Sequence, residues 1–267
     1  MASNSKSNPL VAIIDRRLDQ SHYRDQHWEG SFWEYLDIVI EQPRVARNSF
    51  QRVYDMILSY GTETYQQFKQ EVTKYRFFSD PVDNGADAIF GLERPLMQLV
   101  DFFKSAAAGY GTEKRILLLH GPVGSSKSTI ARLLKKGLES YSKTDDGKLY
   151  SYAWRLPHRL GNDESEHFHD CPMHEDPLLL IPREARNEVL EQINERLPNE
   201  RKIRLYGDVC PFCRKVYADL LDMHGGDWKK AMDHIKVKRL ILAEKDRRVI
   251  GTFQPKDEKN QDSTELT

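Results

Sequence analysis

Gly121-Pro122-Val123-Gly124-Ser125-Ser126-Lys127-Ser128-Thr129 follows the apolar run Ile116-Leu117-Leu118-Leu119 and opens an amphipathic stretch. An apolar strand, a Gly/Ser-rich loop ending in Lys-Ser and then a helix is the context that a phosphate-binding loop requires. Backbone N–H groups of such a loop converge on phosphate oxygens, helped by the positive end of the helix. Lys127 is placed to reach the β- and γ-phosphates of ATP, and the Ser128 hydroxyl to ligate Mg²⁺. The helix after it carries Ile130, Leu133, Leu134, Leu138 and Tyr141 on one stripe, with Arg132, Lys135, Lys136 and Glu139 elsewhere. Ser126 stands where such loops usually carry glycine, and its Cβ resists φ > 0, which implies a slightly different loop shape. The competing interpretation is a Gly/Ser turn joining strand to helix; nucleotide binding is favoured because motif and context agree.

Outward from the loop, the pattern is mixed. Upstream, Phe32, Leu36, Val39 and Ile40 fall at helical spacing before Pro43, and Ala46, Phe50, Val53, Tyr54, Ile57 and Leu58 do so before Gly61. Tyr65, Phe68 and Val72 suggest a third helix, and Asp80-Pro81-Val82-Asp83-Asn84-Gly85 marks a boundary. A helix follows through Leu96, Leu99, Val100 and Phe103. Downstream, residues 150–156 and 237–242 read as strands, and 183–197 and 212–224 as helices, the latter stopped by Gly225-Gly226. The alternation predicts an α/β fold with a parallel sheet and flanking helices. Four regions are expected: an N-terminal helical region (1–80), the phosphate-loop core (81–156), an insertion (157–236), and a last strand with a polar tail (237–267).

The insertion carries a second chemical signal. Cys171-Pro172-Met173-His174 and Cys210-Pro211-Phe212-Cys213 each separate two ligand-type residues by two positions. Two such knuckles supply the four N/S ligands of tetrahedral zinc, with no open position, so the site is structural. The proline in each pair pre-sets a tight turn. A site of this kind is worth roughly 10–16 kcal/mol of apparent binding energy in zinc-finger peptides, enough to pin an excursion that cannot fold alone. His167 and His169 remain alternatives to His174.

At 267 residues, 39% hydrophobic and 30% charged, the chain is long enough to bury a core and polar enough to stay in solution. The net charge of −1 argues against nucleic acid or anionic membrane as a general partner. The basic stretch Arg201, Lys202, Arg204, Arg214 and Lys215 reads as a solvated face. No apolar run is long enough to span a bilayer, and residues 1–8 are polar without a signal-peptide core, so a cytoplasmic location is expected. Three cysteines in such a chain point to metal or burial rather than disulfides. The acidic strand end that positions Mg²⁺ and water in ATPases is missing; Arg239-Leu240-Ile241-Leu242-Ala243-Glu244 is the faint candidate. Protein-kinase signatures (His-Arg-Asp, Asp-Phe-Gly, Gly-x-Gly-x-x-Gly) are absent too.

The loop at 121–129, Asp170-Cys171-Pro172-Met173-His174-Glu175-Asp176-Pro177 and Cys210-Pro211-Phe212-Cys213-Arg214-Lys215 together resemble the bacterial PrkA serine protein kinase family. So do Trp28-Glu29-Gly30, Val45-Ala46-Arg47-Asn48 and the stretch 250–267, from about residue 15 to the end. The resemblance implies an AAA+ type P-loop domain, followed in full-length members by a region likened to protein kinases. It also implies that Ile89-Phe90-Gly91-Leu92 lines an adenine pocket and that the chain acts on a protein substrate, as a serine kinase or by ATP-driven remodelling or proteolysis. A nucleotide-responsive module that does not turn over ATP is the reading from another class. Ring-shaped homo-oligomers are common among AAA+ proteins. The chain is expected to be an N-terminal piece ending just before the acidic strand, with the catalytic residues elsewhere.

Overall fold

The computed structural model describes residues 20–156 and 168–253. The polar ends at 1–8 and 254–267, His167 and the first part of the irregular stretch after Leu156 lie outside the described residues. Helix α1 (Gln20–Gln26) leads to the short strand β1 (Glu29–Gly30). Helix α2 (Phe32–Glu41) begins at a capping box: Glu34 N–H donates to Ser31 Oγ at 3.2 Å, and Ser31 N–H to Glu34 Oε2 at 2.7 Å. Pro43 then opens a 3-10 turn, and Asn48 with Gln51 forms a second capping box at the start of α3 (Ser49–Ser59). Both helices sit where the spacing placed them.

The third helix expected from Tyr65, Phe68 and Val72 is instead a hairpin, β2 (Thr62–Gln67) and β3 (Gln70–Tyr75). Its two-residue loop, Phe68 and Lys69, has φ of 51° and 64°. Positive φ at both central positions gives the twist that two-residue hairpin loops favour. The i, i+3, i+7 coincidence misled because the flanking residues alternate Thr, Tyr and Val, which suit a pleated strand. Only Val72 among the three is buried, while Phe68 stands out into solvent.

Two apolar cores follow. Helices α3, α4 (Glu93–Ala107) and α5 (Lys127–Ser142) share the core that supports the phosphate loop, through Met56, Ile57, Leu96, Val100, Phe103, Ile130, Leu133 and Tyr141, with Phe77 and Phe78 after the hairpin. In α5, a Cβ on Gly137 would come within 2.5 Å of Phe77 and 2.7 Å of Met56 Sδ, so glycine permits the close approach. The other core lies on a four-stranded sheet with β1, β4 (Tyr150–Arg155), β5 (Phe168–Asp170) and β6 (Ile235–Arg239). Phe32 and Tyr35 of α2, Trp154, Leu178, Leu180 and Val237 fill it. Helices α6 (Arg183–Asn194), α7 (Pro211–Met223) and α8 (Trp228–Met232) close over it.

The sheet corrects the expectation of parallel strands. Its order is β1-β6-β4-β5 and every pairing is antiparallel, with Ala153 opposite Lys236 and Trp154 opposite His169. Alternation of helix and strand along a chain does not set strand direction; here the whole excursion through α6–α8 lies between β4 and β6 and returns the chain against its earlier course. Residues 116–119, expected as the strand before the loop, form no strand and join neither sheet, and Ile116 and Leu118 are exposed. Of these four, Leu119 alone leans on the core that supports the phosphate loop. Among the described residues, no helix is long and apolar enough to cross a membrane.

Candidate functional site

The loop expected to bind phosphate forms the entry to α5. Gly124 has φ 84°, and Ser126, the residue before Lys127, is left-handed as well, with φ 58° and ψ 16°. Serine therefore accepts the conformation that glycine usually supplies at this point. Ser125 closes the turn, its N–H reaching Pro122 O at 3.3 Å and its hydroxyl the same oxygen at 2.8 Å. Lys127 folds over the loop and donates to Gly121 O at 2.8 Å, Pro122 O at 2.6 Å and Ser125 Oγ at 3.0 Å. Its ammonium thus sits over the mouth of the loop.

Helix α5 is 16 residues long, and no side chain caps its start. The first N–H groups of a helix have no intrahelical partner, and the helix dipole adds partial positive charge there. Val123 and Ser128 face solvent, and Thr129 is half-buried. Loop amides, a lysine and an exposed hydroxyl at a helix start are the donor set for an Mg²⁺-bound polyphosphate. Residues Gly121 to Thr129 make up this turn and the first positions of α5.

The neighbouring candidates divide. Ile89 is buried and Leu92 is packed on the core that supports the phosphate loop, whereas Phe90 is exposed next to Gly91, whose φ is 73°. Glu244, the faint acidic candidate, is engaged by an ion pair with Lys135 and by Thr252 Oγ1, which donates to Glu244 Oε1 at 2.6 Å. The Lys135 bond, then the Thr252 hydroxyl, hold its carboxyl below the usual value. It serves as a structural tie between α5 and the chain after β6.

The cysteines converge as the spacing implied, with a different fourth member. Ligand atoms of Cys171, Glu175, Cys210 and Cys213 lie within 4.8 Å of one another, and all three thiols are buried. His174 is not in the group: its backbone is left-handed, φ 49°, and it lines a separate hollow with Asp170, Lys238 and Arg248. Burial lowers its imidazole below the ordinary value. His169 sits on β5 opposite Trp154, also outside the group. The sequence reading missed Glu175, whose only signal was a carboxylate four residues after Cys171.

Donors surround the group. Trp154 Nε1–H donates to Cys213 Sγ at 3.2 Å and Glu175 N–H to Cys171 Sγ at 3.5 Å. Glu175 Oε2 accepts from Cys210 N–H at 2.9 Å and Tyr152 O–H at 3.4 Å. The bond from Cys213, together with backbone N–H groups, draws the Cys171 thiol down to about 6 against the effect of burial. The same pairing and burial push Cys213 well up.

A model of the PrkA AAA domain matches residues 30–267. A Bacillus subtilis (strain 168) protein named ATP-dependent protease PrkA is 37% identical over 257 residues, which are 95% of this chain and 34% of the relative. The Escherichia coli (strain K12) serine/threonine kinase YeaG is 30% identical over 122 residues, 43% of this chain and 18% of that one. An uncharacterized protein in the gldA 5′ region of Geobacillus stearothermophilus is 39% identical over 90 residues, 33% of this chain and 81% of that one. The chain therefore spans about a third of the Bacillus relative's length. No solved structure matches. With a family model covering most of its length and a relative aligned over nearly all of it, the chain belongs to the PrkA AAA domain family.

Proposed function

We propose that this chain binds Mg²⁺-ATP at residues 121–129, as the nucleotide-binding part of an enzyme that acts on protein substrates. The observation that carries the reading is the Lys127 ammonium folded over the mouth of a loop at a helix start that no side chain caps. Loop and helix amides would hold the β-phosphate, Lys127 would exchange its carbonyl partners for phosphate oxygens, and Ser128 would ligate Mg²⁺. Phe90, exposed beside Gly91, is the side chain offered for stacking on adenine. When bound, ATP supplies a phosphoryl group or the free energy of its hydrolysis.

Two readings of that work are supported by the names of relatives. ATP-driven proteolysis is favoured by the Bacillus relative, which aligns over 95% of this chain. Phosphorylation of serine is favoured by the resemblance to PrkA kinases and by the kinase name of the Escherichia coli relative, which aligns over 43%.

Titration with a fluorescent ATP analogue and Mg²⁺ tests the shared step. Saturable binding is expected in the parent and a loss of at least tenfold in affinity, about 1.4 kcal/mol, in Lys127→Ala with the melting temperature little changed. Equal affinity in the two proteins would refute the reading. Incubation of the protein and ATP with a model protein, followed by mass spectrometry, then separates cleaved peptides from added phosphate.

A further inference from the structure

Three buried thiols and a half-buried carboxylate gathered at one point are all acceptors once ionised. Buried anions of this kind need a paired cation or a coordinated metal. The four come from two turns brought together by the fold: Cys171 follows β5, with Glu175 just beyond, while Cys210 is the cap of α7 and Cys213 lies in its first turn. The two turns meet across a sequence separation of 35 residues between Glu175 and Cys210. Pro211 at the first position of α7 fixes the direction in which that turn leaves Cys210.

Around these atoms is the outer arrangement that metal thiolates use. The Trp154 indole can only donate, and it is aimed at Cys213 Sγ; the Glu175 amide is aimed at Cys171 Sγ. Tyr152 O–H and the Cys210 amide hold one oxygen of Glu175 in place. Such donors orient ligands and stabilise their negative charge. The positive end of α7, a 13-residue helix, points the same way.

We propose that Cys171, Glu175, Cys210 and Cys213 bind one borderline-soft divalent ion of the zinc class, with Glu175 rather than His174 completing a closed structural site. Thiolate-rich, four-coordinate sets with one oxygen ligand suit zinc, and a set with no open position holds chain rather than catalyses. The ion would fasten the turn after β5 to the start of α7, and so pin the excursion through α6 to the sheet. This inference is independent of nucleotide binding at the loop.

The test uses the whole chain purified without chelators and without metal-affinity resin. Elemental analysis should find about one zinc per chain, released together with all three thiols when a mercurial titrates them. Substoichiometric metal with freely reacting thiols, a disulfide within the group, or iron in place of zinc would overturn the proposal. Chelator competition then reads the ligand set. His174→Ala should hold the ion as tightly as the parent. Tyr152→Phe should weaken it by roughly 10–100-fold, as loss of an outer partner does, and Glu175→Ala by more. The reverse order, with His174→Ala weak and Glu175→Ala unaffected, would remove Glu175 from the set. If Glu175→Ala does not fold, cobalt substituted into the parent gives the answer: intense thiolate charge-transfer and tetrahedral bands are expected, and a weak six-coordinate spectrum would refute the site.

Discussion

Ser126 carries a conformation that its Cβ disfavours, and it does so next to the lysine on which the nucleotide reading rests. Its φ of 58° lies in the left-handed region, which costs a non-glycine residue roughly 1–2 kcal/mol. Strain held at such a point is consistent with a site shaped for a ligand. Ser126→Gly is expected to relieve it, with a net gain of at most about 1 kcal/mol because glycine is also freer in the unfolded chain. Urea unfolding should show a higher midpoint at unchanged slope. A clear loss of stability would mean that the serine side chain contributes contacts worth more than the strain. The motif is legible from residue type and spacing, but the backbone angle at Ser126 is not, because serine's preference opposes it.

At the scale of elements, α5 is held against α3 and the turn at Phe77 by the absence of a side chain at Gly137. Alanine there would gain up to about 1 kcal/mol in helix propensity, but its Cβ would overlap Phe77 and Met56, and overpacking typically costs about 1–3 kcal/mol. Gly137→Ala is therefore expected to lower thermal stability, and a rise in the melting temperature would show that the helices can part without loss. A second element contact depends on pH. His224, capping α7, and His234, entering β6, meet Nε2 to Nε2 at 3.0 Å, while His234 Nδ1 lies 3.1 Å from Arg155 O. Nδ1–H of His234 donates to that carbonyl, which leaves its Nε2 as the acceptor from His224.

Burial, with the neighbouring His224 adding to it, lowers the His234 imidazole below its ordinary value of 6.5. The unfolded chain then binds the proton more tightly, so the stability of this contact is complete above pH 6.5 and is lost as pH falls below it towards the folded-state value. Thermal melts from pH 8 to 5 should show this fall, and His234→Gln should flatten it. An unchanged profile in that variant would assign the pH dependence to other groups. Sequence periodicity found both helices α3 and α5, yet it turned the β2–β3 hairpin into a helix. Three apolar residues can match a helical stripe by chance, whereas the loop's two positive φ angles appear only in the folded chain.

Across the whole molecule, buried arginines join parts far apart in sequence. Arg239, at the end of β6, pairs with Asp25 and donates to Ser142 O at 3.0 Å, tying the sheet to α1 and to the end of α5. Arg52 of α3 donates to Lys148 O at 2.9 Å and, in addition, to Val45 O. Arg239→Met keeps the bulk but leaves those acceptors without their donor, and an unmet buried acceptor costs about 1–3 kcal/mol. The variant is expected to unfold at lower denaturant, and indifference to the change would place the link between the cores elsewhere. These ties also explain why the regions read along the chain differ from the cores. Helix α2 near the N-terminus packs on a sheet whose other strands come from residues 150–155, 168–170 and 235–239.

The sequence alone determined the helices that carry strong caps or stripes, the motif at 121–129 and its place at a helix start, and the spacing of the three cysteines. Each of these depends on residues close together in the chain, where spacing and side-chain type set the outcome, whereas the meeting of Cys171 with Cys210 and Cys213 is made by the fold. Tertiary structure decided the antiparallel direction of the sheet, the unpaired course of residues 116–119 and the place of Glu175 instead of His174 beside the thiols. Those depend on which distant segments meet and on which way a turn faces them. His174, at a left-handed backbone position, falls outside the cluster, whereas Glu175 is held by the amide of Cys210 from across the fold.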